Sequence, residues 1–260
     1  LLFWFHNSPM PQVCGHIYDW YLEPTAALYH TANALEPVHV QYDFLKNTVS
    51  VVNDYYTAFE GGSVTATVYD LNSRKVWERR VDNLRVPEDG VANDVMTVDF
   101  SQATTDVQFL KLRLTDADGK SVSENFYWRS NSKYEGKNTL TGPCTAGFQQ
   151  LNSMKQASLK CHAKQILHSD FRFRVHLYDV DVTIRNNSKS IAFFNQLQLL
   201  DADNQQPIRP AYYDDNFFTL MPGESKTIHI ETRIDRRKTR ECVVKVSGWN
   251  VPEQLIKVKL

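Results

Sequence analysis

Hydrophobic and polar residues alternate with a period of two along most of this chain. From Glu36 onward, Val38, Val40 and Tyr42 are interleaved with polar residues. A period of two puts successive side chains on opposite faces of a strand, so the pattern predicts half-buried β-strands. The first set of predicted strands covers residues 38–44, 48–53, 63–69, 75–81, 95–100, 107–114 and 121–128, separated by turns such as EGG, DLNSR, PEDG and DADG.

A second set of short strands follows a polar stretch at residues 130–143 that contains glycine and proline. These strands are predicted at 157–163, 171–184, 191–200, 207–208, 217–220, 226–233, 242–247 and 255–260. Short strands at this spacing, with no helical pattern between them, are typical of immunoglobulin-like antiparallel β-sandwiches. We therefore predict a mainly β protein, with one sandwich at 37–130, a linker at 131–150 and a second sandwich at 151–260.

The first 36 residues follow a different pattern. An apolar run at residues 1–5 predicts a short strand, and a loop flanked by prolines follows it. From Asp19 to Leu35, apolar residues recur at roughly helical spacing, which predicts a helix. Pro24 lies early in this pattern, where proline is tolerated in the first helical turn, so we expect the continuous helix to begin near it.

The composition favours a folded protein and identifies no partner. With 260 residues, of which 42% are hydrophobic, the chain is long enough to bury one or two cores. Its net charge of -1 provides no global field toward nucleic acid or an anionic membrane, and we predict neither as a partner. The apolar runs are too short to span a bilayer, and no segment has the pattern of a signal peptide.

Three motifs could bind ligands, but each is explained more simply by a turn. TDADGK and LDADNQ carry paired acids, yet they lack the further oxygen ligands of a calcium loop, and Asp-Gly and Asp-Asn are common hairpin residues. The basic stretch RIDRRKTRE at 233–241 is interpreted as a solvated loop, because Asp235 and Glu241 dilute its charge. Asn186-Asn187-Ser188 matches a glycosylation sequon, but so short a match is common by chance and predicts a turn. We predict no metal site.

The cysteines have no metal-type spacing. Four cysteines allow three disulfide pairings, and the sequence does not rank them: Cys14, Cys144, Cys161 and Cys242. Free, partly buried thiols are the favoured interpretation. A bridge between Cys161 and Cys242, inside the second sandwich, is the one pairing that merits a test.

Aromatic side chains are concentrated near the start of the chain. They are Phe3, Trp4, Phe5, Tyr18, Trp20, Tyr21 and Tyr29. Flat rings suit the faces of pyranose sugars, but they also suit a packed core, which is the favoured interpretation for most of them. Neither a Gly-x-Ser-x-Gly elbow nor a His-Glu-x-x-His motif occurs, so the sequence identifies no catalytic residue of those kinds.

Several stretches match one known family. They are Tyr18-Asp19, Pro24, Tyr29, EPVHVQY at 36–42, VVN at 51–53, FEG at 59–61, ATVYD at 66–70, NFYWRS at 125–130, YYDDNFFTLMPGES at 212–225 and GWNVP at 248–252. Together they resemble the C-terminal region of glycoside hydrolase family 2 enzymes, most closely the β-mannosidase and exo-β-D-glucosaminidase-like subgroup. The resemblance covers essentially the whole chain.

The resemblance implies that residues 1–36 are the last strand and helix of a (β/α)8 barrel, so that the chain is a cut through a larger enzyme. A retaining glycosidase needs two carboxylates about 5–5.5 Å apart on the C-terminal ends of barrel strands. In this family the acid/base follows an asparagine, and the chain contains no Asn-Glu pair. The resemblance therefore implies a parent glycosidase, a chain without activity of its own, and no cofactor.

One loop departs from the family pattern. The family usually has Asn-x-Ala-Trp-Pro after the last barrel strand, whereas this chain has Asn7-Ser8-Pro9-Met10-Pro11, and Gly15 replaces a second common Trp. Methionine fills apolar space but offers no flat ring for stacking on sugar, so the resemblance implies an altered sugar site. Trp4 and Asn7 remain as candidate residues of its wall.

Two classes of function are consistent with these features. The favoured one is a set of accessory domains that brace the barrel of a retaining exo-glycosidase acting on β-mannosides or β-glucosaminides. Its partners would be that barrel and carbohydrate, its location secreted or periplasmic, and residues 1–36 would carry an uncovered apolar face. The alternative is a stand-alone carbohydrate-binding or structural β-sandwich, with Tyr212, Tyr213, Phe217 and Phe218 as first candidates for contact with sugar.

Overall fold

The structure is a computed structural model that describes residues 6–11, 16–131, 146–170, 175–234 and 241–258. It is mainly β, with antiparallel sheets and 7% helix, as the alternating pattern predicts. The chain divides into two compact units, Leu1–Met154 and Lys155–Leu260. None of the helices that the structure describes has the length and apolarity needed to cross a bilayer.

The described residues of the first unit form one α-helix, seven strands and a 3-10 helix. Their bounds are α1 Ala26–Ala34, β1 Val38–Asp43, β2 Thr48–Asn53, β3 Phe59–Asp70, β4 Lys75–Val86, β5 Gly90–Thr97, β6 Val107–Thr115, β7 Ser121–Ser130 and the 3-10 helix Ala146–Ser153. The strands form a three-stranded sheet of order β1-β2-β5 and a four-stranded sheet of order β4-β3-β6-β7. The inward side chains of both sheets form one core, which includes Val40, Val51 and Leu112. This is the predicted immunoglobulin-like arrangement.

Three strands of the first unit differ clearly from the predicted ones, and one of them, β4, extends five residues beyond its predicted end at Val81, to Val86. The predicted turn EGG lies inside β3, where Gly61 (φ 73°) and Gly62 form a bulge against β4. A Cβ atom on Gly62 would lie 2.6 Å from the Thr115 carbonyl oxygen, so only glycine fits there. β5 begins and ends earlier than predicted, because Asp94 (φ 50°) interrupts its pairing with β2.

Eight strands are formed by the part of the second unit that the structure describes. Their bounds are β8 Leu159–Asp170, β9 Val175–Asn186, β10 Ala192–Asp201, β11 Ala211–Tyr213, β12 Phe218–Leu220, β13 Ser225–Ile234, β14 Cys242–Gly248 and β15 Val251–Lys257. They form two four-stranded sheets, of order β11-β13-β9-β8 and β12-β10-β14-β15. Their inward side chains make a second core, which includes Ile184, Leu199, Ile230 and Val244.

Two predictions about short strands in the second unit are corrected by the structure. Residues 207–208 form no strand; Pro207 makes only a single bridge to Leu200. The short strand β11 was not predicted, because three residues are too few to show an alternating pattern. The linker predicted at 131–150 falls largely outside the described residues, as do the strand predicted at 1–5 and most of the basic stretch at 233–241.

Both paired-acid motifs form turns, as predicted. Asp116 Oδ1 accepts hydrogen bonds from the backbone of Asp118 at 3.0 Å and Lys120 at 2.9 Å. In the second unit, Asp201 Oδ1 accepts the backbone N–H of Asp203 at 2.9 Å. These carboxylates bind their own backbone, as aspartates in turns commonly do. Within the described ranges, no group of three or more His, Cys, Asp or Glu residues is placed to hold a metal ion.

The two described cysteines are free thiols. Cys161 on β8 is half-buried and Cys242 on β14 is buried, and they are not bonded to each other. Burial raises the pKa of the Cys161 thiol to about 11. Burial, with a smaller contribution from Asp201, raises the pKa of the Cys242 thiol to about 11 as well. Both thiols therefore stay protonated and unreactive at neutral pH. Cys14 and Cys144 lie outside the described residues.

Candidate functional site: the N-terminal segment and its junction with the first sandwich

The described N-terminal residues fold into a short hydrogen-bonded arrangement ahead of α1. Asn7 forms a parallel bridge with Tyr18, and Tyr18 forms an antiparallel bridge with Pro24. The Tyr18 N–H donates to the His6 carbonyl at 2.9 Å, and the Ser8 N–H donates to the Tyr18 carbonyl at 3.3 Å. The backbone of the sequence-predicted site residue Asn7 is therefore fixed, while its side chain is exposed. Trp4, the other predicted site residue, lies outside the described part of the chain.

The loop that departs from the family pattern is partly exposed. Ser8 is fully buried and its hydroxyl donates to the Met10 carbonyl at 2.5 Å, while the Met10 side chain is 55% exposed. An exposed thioether offers no flat face for a sugar ring. The described residues of this loop thus place no aromatic ring where the family has its tryptophan.

Asp19 and Thr25 organise the turn before α1. Asp19 Oδ1 accepts the N–H groups of Tyr21 at 2.8 Å and Glu23 at 2.9 Å. Thr25 is the N-cap, because its hydroxyl accepts the Ala27 N–H at 3.2 Å. The helix therefore begins at Ala26, two residues after Pro24 and close to the predicted start.

Most of this segment lies at the surface even though it is rich in apolar residues. Tyr29 is the only one of the nine α1 residues that is buried. Large apolar side chains before and after the helix are exposed: Trp20 47%, Tyr21 56%, Leu22 64% and Leu35 58%. A nine-residue helix with one buried side chain gains little from packing, and helices of this length are marginal in isolation. The segment therefore presents an apolar surface, here called the N-terminal surface, defined by Trp20, Tyr21, Leu22 and Leu35.

A hydrogen-bond chain joins the end of α1 to the first sandwich. The Val40 N–H donates to Ser123 Oγ at 3.3 Å, and the Ser123 hydroxyl donates to Glu36 Oε2 at 2.6 Å. His39 is buried, with Nε2 3.2 Å from Asn125 Nδ2 and Nδ1 3.7 Å from Glu36 Oε2. Because the Asn125 amide donates, the imidazole proton is assigned to Nδ1, facing Glu36. Glu36 and His39, both in the EPVHVQY stretch, thus fix the junction.

Side chains of β7 satisfy the free edge of β1. Ser123 accepts the Val40 N–H, and the Asn125 amide donates to the Val40 carbonyl at 2.6 Å. Tyr127 Oη accepts the Tyr42 N–H at 3.3 Å. These three side chains lie two residues apart on β7, so they point toward the same side of the strand. They close the sandwich along this side without a backbone ladder, which protects an edge that could otherwise pair with another chain.

The replacement Asn125→Ala tests this edge. We expect the free energy of unfolding of the first sandwich to fall by about 1–2 kcal/mol, because the buried Val40 carbonyl loses its partner. The neighbouring Glu124→Ala, which removes partly exposed contacts with Lys111, Arg113 and Ser121, should change it by less than about 0.5 kcal/mol. Peptide-resolved hydrogen exchange of β1 in denaturant would measure both. Equal effects of the two replacements would contradict the role of Asn125.

The aromatic residues suggested for sugar contact in the second sandwich do not form an exposed platform. Tyr212 is 62% exposed, but Phe218 belongs to the core. Tyr213 is half-buried against that core and its hydroxyl accepts the Leu199 N–H at 2.8 Å. Of the four candidates, only Tyr212 presents its ring largely to solvent.

Acidic residues surround a histidine on the outer face of the β13–β9 sheet. His229 Nδ1 lies 2.7 Å from Asp181 Oδ1. The hydrogen bond to Asp181, with the nearby charges of Asp179 and Asp214, raises the pKa of His229 above its usual value. Lys164 on β8 lies opposite Asp181 on β9 in the register of the two strands. The pair is partly exposed, so its contribution to stability is small.

This arrangement predicts a pH dependence. Because the folded-state pKa of His229 is raised, its stabilisation is fully present below the unfolded-state pKa of about 6.5 and is lost as pH rises through the folded-state value. We expect His229→Gln to destabilise the second sandwich by no more than about 0.5 kcal/mol at about pH 5.5, and to have no effect at about pH 8.5. Urea unfolding at the two pH values measures this. A larger loss at the higher pH would reverse the assigned sign.

Comparison with known proteins assigns both sandwiches. Residues 139–251 match the exo-beta-D-glucosaminidase Ig-fold domain, and residues 46–134 match the mannosidase Ig/CBM-like domain. The chain is 27% identical over 98% of its length to an exo-beta-D-glucosaminidase of Amycolatopsis orientalis, and 23% identical to a mannosylglycoprotein endo-beta-mannosidase of Lilium longiflorum. It spans 25% and 31% of the lengths of these relatives.

Solved structures support the same assignment. The crystal structure of the A. orientalis exo-chitosanase CsxA matches 99% of this chain and 30% of its own, with a TM-score of 0.84 and 28% identity. A beta-D-mannosidase from Dictyoglomus thermophilum shares the fold, with a TM-score of 0.64 at 15% identity. The resemblance noted in the sequence is thereby confirmed, and the matched region is the C-terminal portion of the relatives. This chain therefore carries Ig-fold domains of the kinds found in the exo-β-D-glucosaminidase and mannosidase group of glycoside hydrolase family 2.

Proposed function

We propose that this chain is the non-catalytic accessory region of a retaining exo-glycosidase that hydrolyses β-glucosaminides or β-mannosides. The two sandwiches would brace a catalytic barrel that belongs to the same polypeptide. The names of the relatives support this class of activity, and the chain spans only about a quarter to a third of their lengths. We propose a secreted or periplasmic location, where such an enzyme would meet its glycans.

The observation that carries this proposal is the N-terminal surface. Trp20, Tyr21, Leu22 and Leu35 are each about half exposed or more, and α1 buries only Tyr29. A group of large exposed apolar side chains in one short segment is typical of a site that another structure covers. We propose that residues 1–36 are the last strand and helix of a (β/α)8 barrel, and that the rest of the barrel covers this surface.

The junction explains how the sandwich would brace the barrel. Glu36 lies two residues after the end of α1, and its carboxylate accepts a hydrogen bond from Ser123 of β7 at 2.6 Å. His39 is buried between Glu36 and Asn125. We propose that the Glu36–Ser123 hydrogen bond holds α1 in one orientation on the first sandwich. A barrel built on α1 would inherit that orientation.

The chemistry would be supplied elsewhere in the polypeptide. A retaining glycosidase uses one carboxyl group as acid/base and a second as nucleophile, about 5–5.5 Å apart. We propose that both lie in the barrel, and that Trp4 and Asn7 border its sugar site. Because Met10 provides no ring, stacking on the sugar at this position would be weaker than in relatives that carry tryptophan there.

The test uses the native gene product. An antibody raised to this chain would isolate the protein from source cells, and its mass would be compared with the 30 kDa of the chain. We expect a species several times heavier that hydrolyses an aryl β-glucosaminide or an aryl β-mannoside, while the 260-residue chain alone hydrolyses neither. A stable species near 30 kDa without either activity would overturn the proposed function.

A further inference from the structure

Two adjacent tyrosines project from the loop between β2 and β3. Tyr55 is 54% exposed and Tyr56 is 91% exposed. Two adjacent exposed aromatic side chains form an apolar patch, and a patch rimmed by polar residues is typical of a site that meets a ligand or partner. The loop belongs to the first sandwich, at the same end as the junction, because the Asp54 N–H donates to the Pro37 carbonyl at 2.8 Å.

A fully buried asparagine holds this loop in place. The Asn53 amide donates to the carbonyls of Thr57 at 2.9 Å and Pro87 at 3.0 Å, and its Oδ1 accepts the Tyr55 N–H at 3.2 Å. The Tyr55 carbonyl in turn accepts the Asp89 N–H at 2.9 Å. The backbone that carries the two rings is therefore fixed before any ligand binds. Pre-organisation of this kind lowers the entropic cost of binding.

Exposed carboxylates lie on the loop that carries the two rings and on the neighbouring loop. Asp54 precedes Tyr55, and Glu88 and Asp89 lie on the loop that Asn53 and Tyr55 bind directly. All three acidic side chains are exposed, and none forms an ion pair with a residue that the structure describes. The surface beside the two rings is consequently negative, which favours a cationic ligand.

We propose that this Tyr55–Tyr56 loop binds protonated amino-sugar units of an oligosaccharide. The apolar face of a pyranose ring would stack on Tyr56, and its ammonium group would contact the carboxylates of Asp54 or Asp89. The proposal rests on the proposed function, which supplies the sugar, and it selects β-glucosaminides over β-mannosides. A neutral mannose oligomer would gain the stacking but not the charge contacts.

A protein surface fits this loop less well than a cationic sugar. Packing a protein over Tyr56 would remove water from Asp54, Glu88 and Asp89, and burial of unpaired charges is strongly unfavourable. A sugar leaves one side of the loop open to water and brings its own positive charge. The acids therefore distinguish this loop from the N-terminal surface, whose four defining residues are uncharged.

The test is an NMR titration of the 260-residue chain with a glucosamine tetramer at about pH 5.5, where the sugar amines are protonated and the carboxylates ionised. Tyr56→Ala should weaken binding by about three- to tenfold, and Tyr56→Phe should retain it because the ring is kept. Asp54→Asn combined with Asp89→Asn should weaken binding and reduce its salt dependence. Tyr212→Ala, which removes an exposed tyrosine of the second sandwich, is the matched control and should have no effect.

The possible results separate failure of the loop proposal from failure of the proposed function. Equal affinity for a mannose tetramer would overturn the choice of sugar, and no binding or no effect of Tyr56→Ala would overturn the loop site. If the native protein cleaves the aryl β-glucosaminide but Tyr56→Ala leaves tetramer binding unchanged, only the loop proposal fails. If neither aryl glycoside is cleaved, the proposed function fails, whatever the loop binds. Resonances of Tyr55 and Tyr56 that shift only on addition of a separately made barrel would identify a protein contact instead, which also overturns the site.

Discussion

Replacing Leu112 with alanine is expected to lower the free energy of unfolding of the first sandwich by about 3–4 kcal/mol. Leu112 is fully buried on β6, a central strand of the four-stranded sheet, and it belongs to the core that both sheets share. The loss combines the transfer of the deleted methine and two methyl groups with the cavity that remains. Strands on both sides of β6 restrict collapse of that cavity, so the cost should lie above the lower end of the usual range.

The neighbouring position supplies the control for Leu112. Arg113 lies on the opposite face of β6, with its side chain half exposed near Glu124. Arg113→Ala should change the free energy of unfolding by less than about 0.5 kcal/mol. Because the chain has two units, the measurement must be local, for example hydrogen exchange of β3 and β6 at increasing denaturant. A loss below about 1 kcal/mol for Leu112→Ala would contradict its central place in the core.

The second large effect is expected at Asn186, the last residue of β9. Its amide donates to the carbonyls of Ser190 at 2.8 Å and Leu220 at 3.0 Å, and its Oδ1 accepts from Ser188 N at 3.0 Å and Oγ at 2.7 Å. The side chain is fully buried. Asn186→Ala should destabilise the second sandwich by about 3 kcal/mol, because the buried Leu220 carbonyl and the partly buried Ser188 N–H and Ser190 carbonyl all lose their bonds to Asn186 at once.

Asn187, the next residue, is the matched control for Asn186. Both belong to the glycosylation sequon, so the same comparison also tests the prediction that this stretch is a turn. Asn187 is exposed, and only its backbone N–H is used, in a bond to the Ser158 carbonyl. Asn187→Ala should therefore change stability by less than about 0.5 kcal/mol. The sequon prediction of a turn is confirmed, since Asn186 anchors the turn with its whole amide. A glycan found on Asn186 of folded protein, or equal effects of the two replacements, would contradict this role.

Alternating hydrophobicity predicted the sandwiches because a two-residue period has one structural meaning. It could not predict β3 and β1 in full. The EGG sequence has the composition of a turn, and only the approach of the Thr115 carbonyl to Gly62 makes it a bulge. His39 occupies a position that the alternation assigns to solvent, yet it is buried because β7 lies beside the edge of β1. Contacts between residues about 85 positions apart are invisible to a local pattern.

The candidate site was predictable in part. The apolar residues before and after α1 could be identified from the sequence, and an uncovered apolar face on this segment was expected from the family resemblance. The loop that carries Tyr55 and Tyr56 was not, because its character depends on the buried amide of Asn53 and on a contact with Asp89. Loops 54–58 and 87–89 come together only through tertiary contacts. No periodicity in the sequence indicates that they are neighbours.

Hydrogen exchange of α1 tests the central claim most directly, that the N-terminal surface belongs to a larger folded structure. Peptides that cover Ala26–Ala34 would be followed in the 260-residue chain and in the native gene product. A helix with one buried side chain opens easily, whereas a helix covered by a barrel is protected. We expect exchange to slow by at least about 100-fold in the native protein, while peptides of β3 and β6 exchange alike in both. Equal exchange of α1 in the two proteins would contradict the account.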